Sequence, residues 1–293
     1  MGERWTKEML IRIHHTLQFH YDRPVFLEPM TVRLSPRQDA TQQRLLHSLK
    51  VCSAPAGTAW IIEPDGNEAA VLWFSEEREN LQLTAESEVS TLRVNPFDWI
   101  LTDPRAQRLP LDYEPALAAS LAPARLDEAT PAVRAWAEGL ALAVDRSTTA
   151  FLTHLVDSIH TTFHHIGRLD GDPQTPDQTL ETRTGACRDT AMLFVAASRT
   201  QGLAARFVSG YSIHHPPEVT EQELHAWAEV YLPGGGWRGY DPSLGLAVAD
   251  GHIGLAAAPD HRLAAPVVGT YRGTGVGSTM RYMINLAPIE ATS

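Results

Sequence analysis

Apolar and polar positions alternate along the first part of this chain, and the alternation gives way to a helical period beyond residue 130. Residues 10–18, 31–34, 43–52, 59–63, 68–74, 79–85 and 88–93 form short runs that alternate in polarity or are rich in β-branched and aromatic residues. A period of two sends successive side chains to opposite faces, as a strand requires. Turn signals such as Tyr21-Asp-Arg-Pro24, Ser35-Pro-Arg37 and Pro64-Asp-Gly-Asn67 separate the runs. Strands at this spacing predict an antiparallel β-sandwich over residues 1–101. Residues 102–130, rich in proline and alanine, read as a linker holding one helical turn.

Helical spacing starts at Pro131, a residue suited to a first turn, with Thr130 before it as cap. A second helix is expected over 147–166, where Phe151, Leu155, Ile159 and Phe163 recur every four residues. A polar stretch, 167–184, is long for a loop and is placed to shape a site. Residues 187–200 are apolar round most of a helix, so this helix should be buried, with Gly202 beyond its end suited to a left-handed cap. Alternation then returns. In 224–232, His225, Trp227, Glu229 and Tyr231 share one face, while Ala226, Ala228, Val230 and Leu232 share the other. A glycine turn at 233–236 leads to a return strand at 237–241, and a last strand is expected at 280–287. The fold class is α+β, with domains at 1–101 and 131–293.

Composition narrows the function. The chain of 293 residues can bury a sizeable core, and its net charge of −11 gives nothing for nucleic acid or an anionic membrane to bind. Two cysteines, Cys52 and Cys187, are too few for a disulfide framework, which points to a reducing, cytoplasmic setting. No apolar run is long enough for a membrane span, and the first residues have no signal-peptide core.

Chemistry concentrates in three places. Cys187 stands at a helix start, where partial positive charge and free N–H groups favour a thiolate. His225 opens a strand, and Asp241 precedes Pro242. Alone, each has a bland reading: a packed thiol, a strand histidine, a turn residue. Together they are the parts of an activated nucleophile. Geometry sets a condition on them. A three-residue turn at 233–235 pairs Leu232 with Gly236 and sets Asp241 opposite Trp227, on His225's face, whereas a four-residue turn sends it to the other face. An odd turn or a bulge is therefore expected, with a carboxylate–imidazole hydrogen bond. Trp227 is a candidate to line the substrate site or to screen His225 from water. Asp189, in the first helical turn, reads as structural. His14, His15 and His20, and His160 with His164 and His165, lack a ligand pattern for zinc, and Cys52 reads as packing.

The segments Gly185-Ala-Cys187-Arg-Asp189, Gly202-Leu-Ala-Ala-Arg206-Phe-Val-Ser-Gly210-Tyr211, His225-Ala-Trp-Ala-Glu-Val-Tyr231 and Gly236-Trp-Arg-Gly-Tyr-Asp241-Pro242 resemble the transglutaminase-like superfamily of microbial proteins. The early segments around Tyr21–Val25, Val32–Arg37 and Asp65–Asn67 resemble that group's N-terminal β domain. The chain departs at Thr190-Ala191-Met192, where the family more often has an aromatic residue followed by Ala. The resemblance implies a papain-like core with Cys187 as nucleophile, His225 as general base and Asp241 orienting it, and needs no cofactor and no metal. It implies a peptide or protein substrate attacked through a thioester. Water as acceptor makes a protease or amidase, an amine makes a transglutaminase. A silent scaffold of the same fold and a zinc protein using Cys187 are the competing readings.

Overall fold

The computed structural model describes residues 9–168, 171–214 and 222–289. The first part of the chain is all strand: β1 (Met9–Leu27), β2 (Met30–Val32), β3 (Gln42–Cys52), β4 (Gly57–Ile62), β5 (Glu68–Trp73) and β6 (Arg78–Thr91). The two runs expected at 79–85 and 88–93 are one strand, β6. Its alternation holds through Glu86 and Ser87, and it pairs with β1 from Met9↔Thr91 to His20↔Asn80.

The helical part follows, with α1 (Pro131–Ala143), α2 (Thr148–Thr162) and α3 (Cys187–Thr200). Pro131 sits in the first turn of α1, and the Thr130 side chain accepts the Val133 N–H. Gly202, at φ +77, takes the left-handed conformation just past α3. One antiparallel sheet then forms from β7 (Ala205–Ser212), β8 (His225–Leu232), β9 (Gly236–Asp241) and β10 (His252–Ala258), with β9 next to β8, β8 next to β7 and β7 next to β10. Helix α3 packs on this sheet, and Phe194 stacks on Tyr240 with ring centroids 5.6 Å apart.

Two boundaries differ from the expectation. Residues 102–130 are not a bare linker. Ala106, Leu109, Leu111, Tyr113, Leu121 and Ala124 are buried in the same core as α1, α2 and α3. The Tyr113 hydroxyl donates to the Tyr231 carbonyl and accepts the Ala204 N–H. Its apolar residues are spaced irregularly, so no period marks them as core. Nor does 131–293 stay together. Strands β11 (Val267–Val268), β12 (Tyr271–Arg272) and β13 (Ser278–Ile289) return to the N-terminal sheets. β11 pairs with β2, while β12 and β13 both pair with β1. The β region is therefore a five-stranded sheet and a four-stranded sheet built from both ends of the described chain.

The β region is also fused to the helical part. Tyr211, Ile253 and Leu255 of β7 and β10 are buried in the β-region core. The outer edge of β10 is satisfied by side-chain amides: Gln42 donates to the Gly254 carbonyl and accepts its N–H, and Asn67 does the same for Ala257. Each amide supplies a donor and an acceptor, so it substitutes for one residue of a missing strand. Glu229 of β8 is held by Arg37 at 2.7 Å and Arg206 at 2.6 Å, all three largely buried. No helix among the described residues is long and apolar enough to cross a membrane.

Candidate active site

Cys187 opens α3, and the helix start is capped from within. Ala186, at the cap position, has no polar side chain. The first-turn carboxylate of Asp189 takes its place, accepting the Ala186 N–H at 2.8 Å. The other Asp189 oxygen accepts the Gln174 N–H at 2.7 Å and the Arg168 guanidinium at 2.6 Å. One fully buried carboxylate thus ties the loop before the helix to the turn that carries the thiol.

The His–Asp geometry meets the condition set by the turn. Leu232 pairs with Gly236 and Ala228 with Tyr240, so the turn has three residues and Asp241 falls on the face of His225. His225 Nε2 lies 2.6 Å from Asp241 Oδ2. That leaves Nδ1 as the open ring nitrogen, and Cys187 lines the same cleft as His225, close enough to act on the charge of this imidazole. Asp241 is buried and fully satisfied. Its Oδ1 accepts Ser243 N–H, Ser243 Oγ–H and Leu244 N–H at 3.0, 2.8 and 3.1 Å. Its Oδ2 receives a second imidazole, His252 Nε2, at 3.0 Å.

These contacts set the charges. Burial opposes ionisation of His225, but Asp241 and the Cys187 sulfur outweigh it and hold the imidazolium well above its ordinary pKa. Burial also opposes the Asp241 carboxylate, and the two imidazoles more than offset it, so its pKa lies well below the ordinary carboxylate range. His252 goes the other way, because burial and the neighbouring His225 and His214 outweigh Asp241 and keep it neutral.

His252 has no motif around it and was not legible in the sequence. It reaches Asp241 because β10 crosses to pair with β7, a long-range register that local spacing does not carry. We predict that His252→Phe raises the alkaline limb of the pH profile for Cys187 alkylation, because Asp241 Oδ2 would then serve His225 alone. It should also destabilise the fold by about 2 kcal/mol, the scale of a lost hydrogen bond to a charged group. An unchanged profile would count against a role for His252 in positioning the carboxylate.

Of the alternatives for Trp227, the structure fits packing behind His225 rather than lining the substrate site. Trp227 is buried, at 1% exposure, and is absent from the lining of the cleft at Cys187. It packs edge-on to His252 with centroids 5.2 Å apart and 6.3 Å from His225. Gly210 makes room for it: a Cβ there would come within 2.6 Å of the indole and 2.2 Å of the Ile253 carbonyl. Face-sharing with His225 holds, but Trp227 is packed among Val208, Val248 and Ala257, so it backs the imidazoles and does not line the cleft.

Cys187 and His225 open on a cleft of about 630 Å³. Residues 165–168 and 171–173 line it on the helical side, and Leu17, Met280 and Tyr282 of the β region also line it. The other candidates scatter. His15 bonds the Tyr211 hydroxyl at 2.9 Å and burial lowers it to about 4, while His20 bonds Asn80. Helix α2 ends at Thr162, so His164 and His165 leave it, and His160 bonds the Ser243 carbonyl. Cys52 is an exposed thiol. Among the described residues, His225, Asp241 and His252 are the one set whose ligand atoms cluster, within 4.8 Å. Both imidazoles point at the same carboxylate oxygen at hydrogen-bond distance.

Residues 134–242 match the transglutaminase-like superfamily, and residues 11–90 match the bacterial transglutaminase-like N-terminal region. The chain belongs to the transglutaminase-like superfamily. An uncharacterized protein of Mycobacterium tuberculosis, Rv2569c, is 27% identical over 293 residues, covering 95% of this chain and 93% of its own. An uncharacterized protein of Mycobacterium leprae, ML0607, is 23% identical over 278 residues, covering 90% and 94%. Among solved structures, a "putative cysteine protease" from Cytophaga hutchinsonii superposes with a TM-score of 0.74 over 98% of this chain and 93% of that one, at 18% identity. That likeness is one of fold.

Proposed function

We propose that this protein is a cysteine hydrolase that opens a peptide or carboxamide bond through a thioester on Cys187. The observation that carries the reading is the Asp241–His225 hydrogen bond, with His225 and Cys187 lining one open cleft. His225 Nδ1 takes the thiol proton and the sulfur attacks the carbonyl carbon. The oxyanion meets the Cys187 N–H, one of the donors that a helix start leaves without an intrahelical partner. The imidazolium gives its proton to the leaving amine, and water, deprotonated by the same nitrogen, then releases the acid. The cleft admits solvent, which favours water over an amine as acceptor.

The test uses the second thiol as its control. Cys52 is exposed and Cys187 half-buried, so accessibility alone makes Cys52 the faster to react. Iodoacetamide at neutral pH should label Cys187 first, by about tenfold or more, because its neighbour takes the proton. Equal or slower labelling of Cys187 would favour a silent scaffold. Incubating a peptide library with and without a primary amine then reads out the acceptor.

A further inference from the structure

The four-stranded sheet of the β region runs β11-β2-β5-β4, so β11 is an edge strand. Its residues Val267 and Val268, with Gly269 after them, line the same cleft as Cys187 and His225. The register decides which backbone groups are free. Val267 pairs with Val32 and Val268 with Thr31. The Arg33 N–H donates to the Pro266 carbonyl at 2.6 Å, which makes the 33/266 position a hydrogen-bonded pair. In an antiparallel ladder such pairs alternate, so Val268 bonds inward to Thr31, and the Val267 N–H and C=O point away from β2. Thr270 keeps the phase, since its carbonyl accepts the Glu28 N–H at 2.9 Å. Among the described residues, the two Val267 backbone groups have no backbone partner.

This edge is braced. The Ala264 carbonyl accepts the Ser209 hydroxyl at 2.5 Å from β7. The Ala265 carbonyl accepts the Arg33 guanidinium at 2.9 Å, and Arg33 is itself paired with Glu63 and only 5% exposed. Three successive carbonyls are thus pinned just before the residue whose polar backbone is open. A free N–H and C=O on one residue of a fixed strand form a docking site for an extended peptide, which adds by main-chain hydrogen bonds.

We propose that β11 is a substrate-binding strand: an extended peptide pairs with Val267 and so lays its carbonyl toward Cys187. The inference rests on the hydrolase reading and names the substrate class as an extended main chain rather than a free small amide. Recognition by backbone groups tolerates varied side chains, while Leu17 and Met280 offer apolar contacts in the same cleft.

The probes are acetyl-capped tripeptide aldehydes of leucine and alanine, and the readout is protection of Cys187 from iodoacetamide. The thiol adds across the aldehyde: the C–S bond forms, the C=O π bond opens, and the thiol proton ends on oxygen. Methylating the peptide nitrogens one at a time should weaken protection of the wild type by about tenfold at one position only, the scale of one lost hydrogen bond. Val267→Pro removes the outward N–H but no ladder bond, so it should fold with a melting temperature near the wild type and bind the unmethylated aldehyde about tenfold more weakly. Val268→Pro, which removes a ladder bond, should instead lower the melting temperature. If every methylated aldehyde protects as well as its parent, edge pairing is overturned, whatever Val267→Pro does. A Cys187 no more reactive than Cys52 in the wild type would overturn the hydrolase reading itself.

Discussion

Asp241→Asn is expected to cost turnover about three to four orders of magnitude with the fold retained. The reason lies in which donors face each oxygen. Ser243 N–H, Ser243 Oγ–H and Leu244 N–H all point at Oδ1. An asparagine there keeps its carbonyl on those donors and turns its NH₂ toward the two imidazoles. His225 Nε2 must then accept, which moves the proton to Nδ1, the nitrogen that has to take the thiol proton. The chemistry stops because of a tautomer, not a missing group. Asp241→Asn should fold with native circular dichroism and label slowly with iodoacetamide. The linkage has a definite sign. A carboxylate held below its ordinary pKa adds stability that is present above about pH 4 and lost as pH falls further. Acid unfolding of the variant should lack that part of the slope. Near-normal turnover in Asp241→Asn would remove Asp241 from the mechanism.

The second large effect is on stability. Glu229→Gln leaves Arg37 and Arg206 largely buried beside a neutral amide, and breaking such an ion cluster costs about 3–5 kcal/mol. Burial alone would raise the pKa of Glu229, yet Arg37 and Arg206 pull it down to about 2. Its stabilising contribution is complete above pH 4.5 and fades as pH falls toward 2. The gap between wild type and Glu229→Gln in urea melts should therefore be widest at neutral pH and shrink across that window. A gap that stays constant down to pH 2 would mean that the charge on Glu229 is not what holds the β region to β8.

What could be read from the sequence follows from where the information sits. Cys187, His225 and Asp241 each lie in a short stretch whose period fixes the element, and a single turn length fixes the face of Asp241. That is why the His225–Asp241 bond and the span of α3 could be deduced. His252 depends on β10 pairing with β7, a register with no local signal. The buried place of Trp227 depends on what covers its face, and alternation says only which face that is. The core residues of 102–130 have no period at all. β13 reads correctly as a strand, but the pattern of a strand does not name its partner. The amide pairs of Gln42 and Asn67 on the edge of β10 were equally invisible, since a polar side chain in a turn looks the same whether it meets water or a strand.

The pairing of β1 with β13 joins two events far apart in synthesis. The ribosome makes Leu10–Tyr21 early, and the strand that closes its open side, Ser278–Ile289, emerges only after the whole helical part. Throughout that interval one edge of β1 has no β13, and the cleft beside Cys187 lacks Met280 and Tyr282. A nascent chain halted anywhere between residues 241 and 278 already holds the thiol, the imidazole and the carboxylate, but not the strand that completes the cleft.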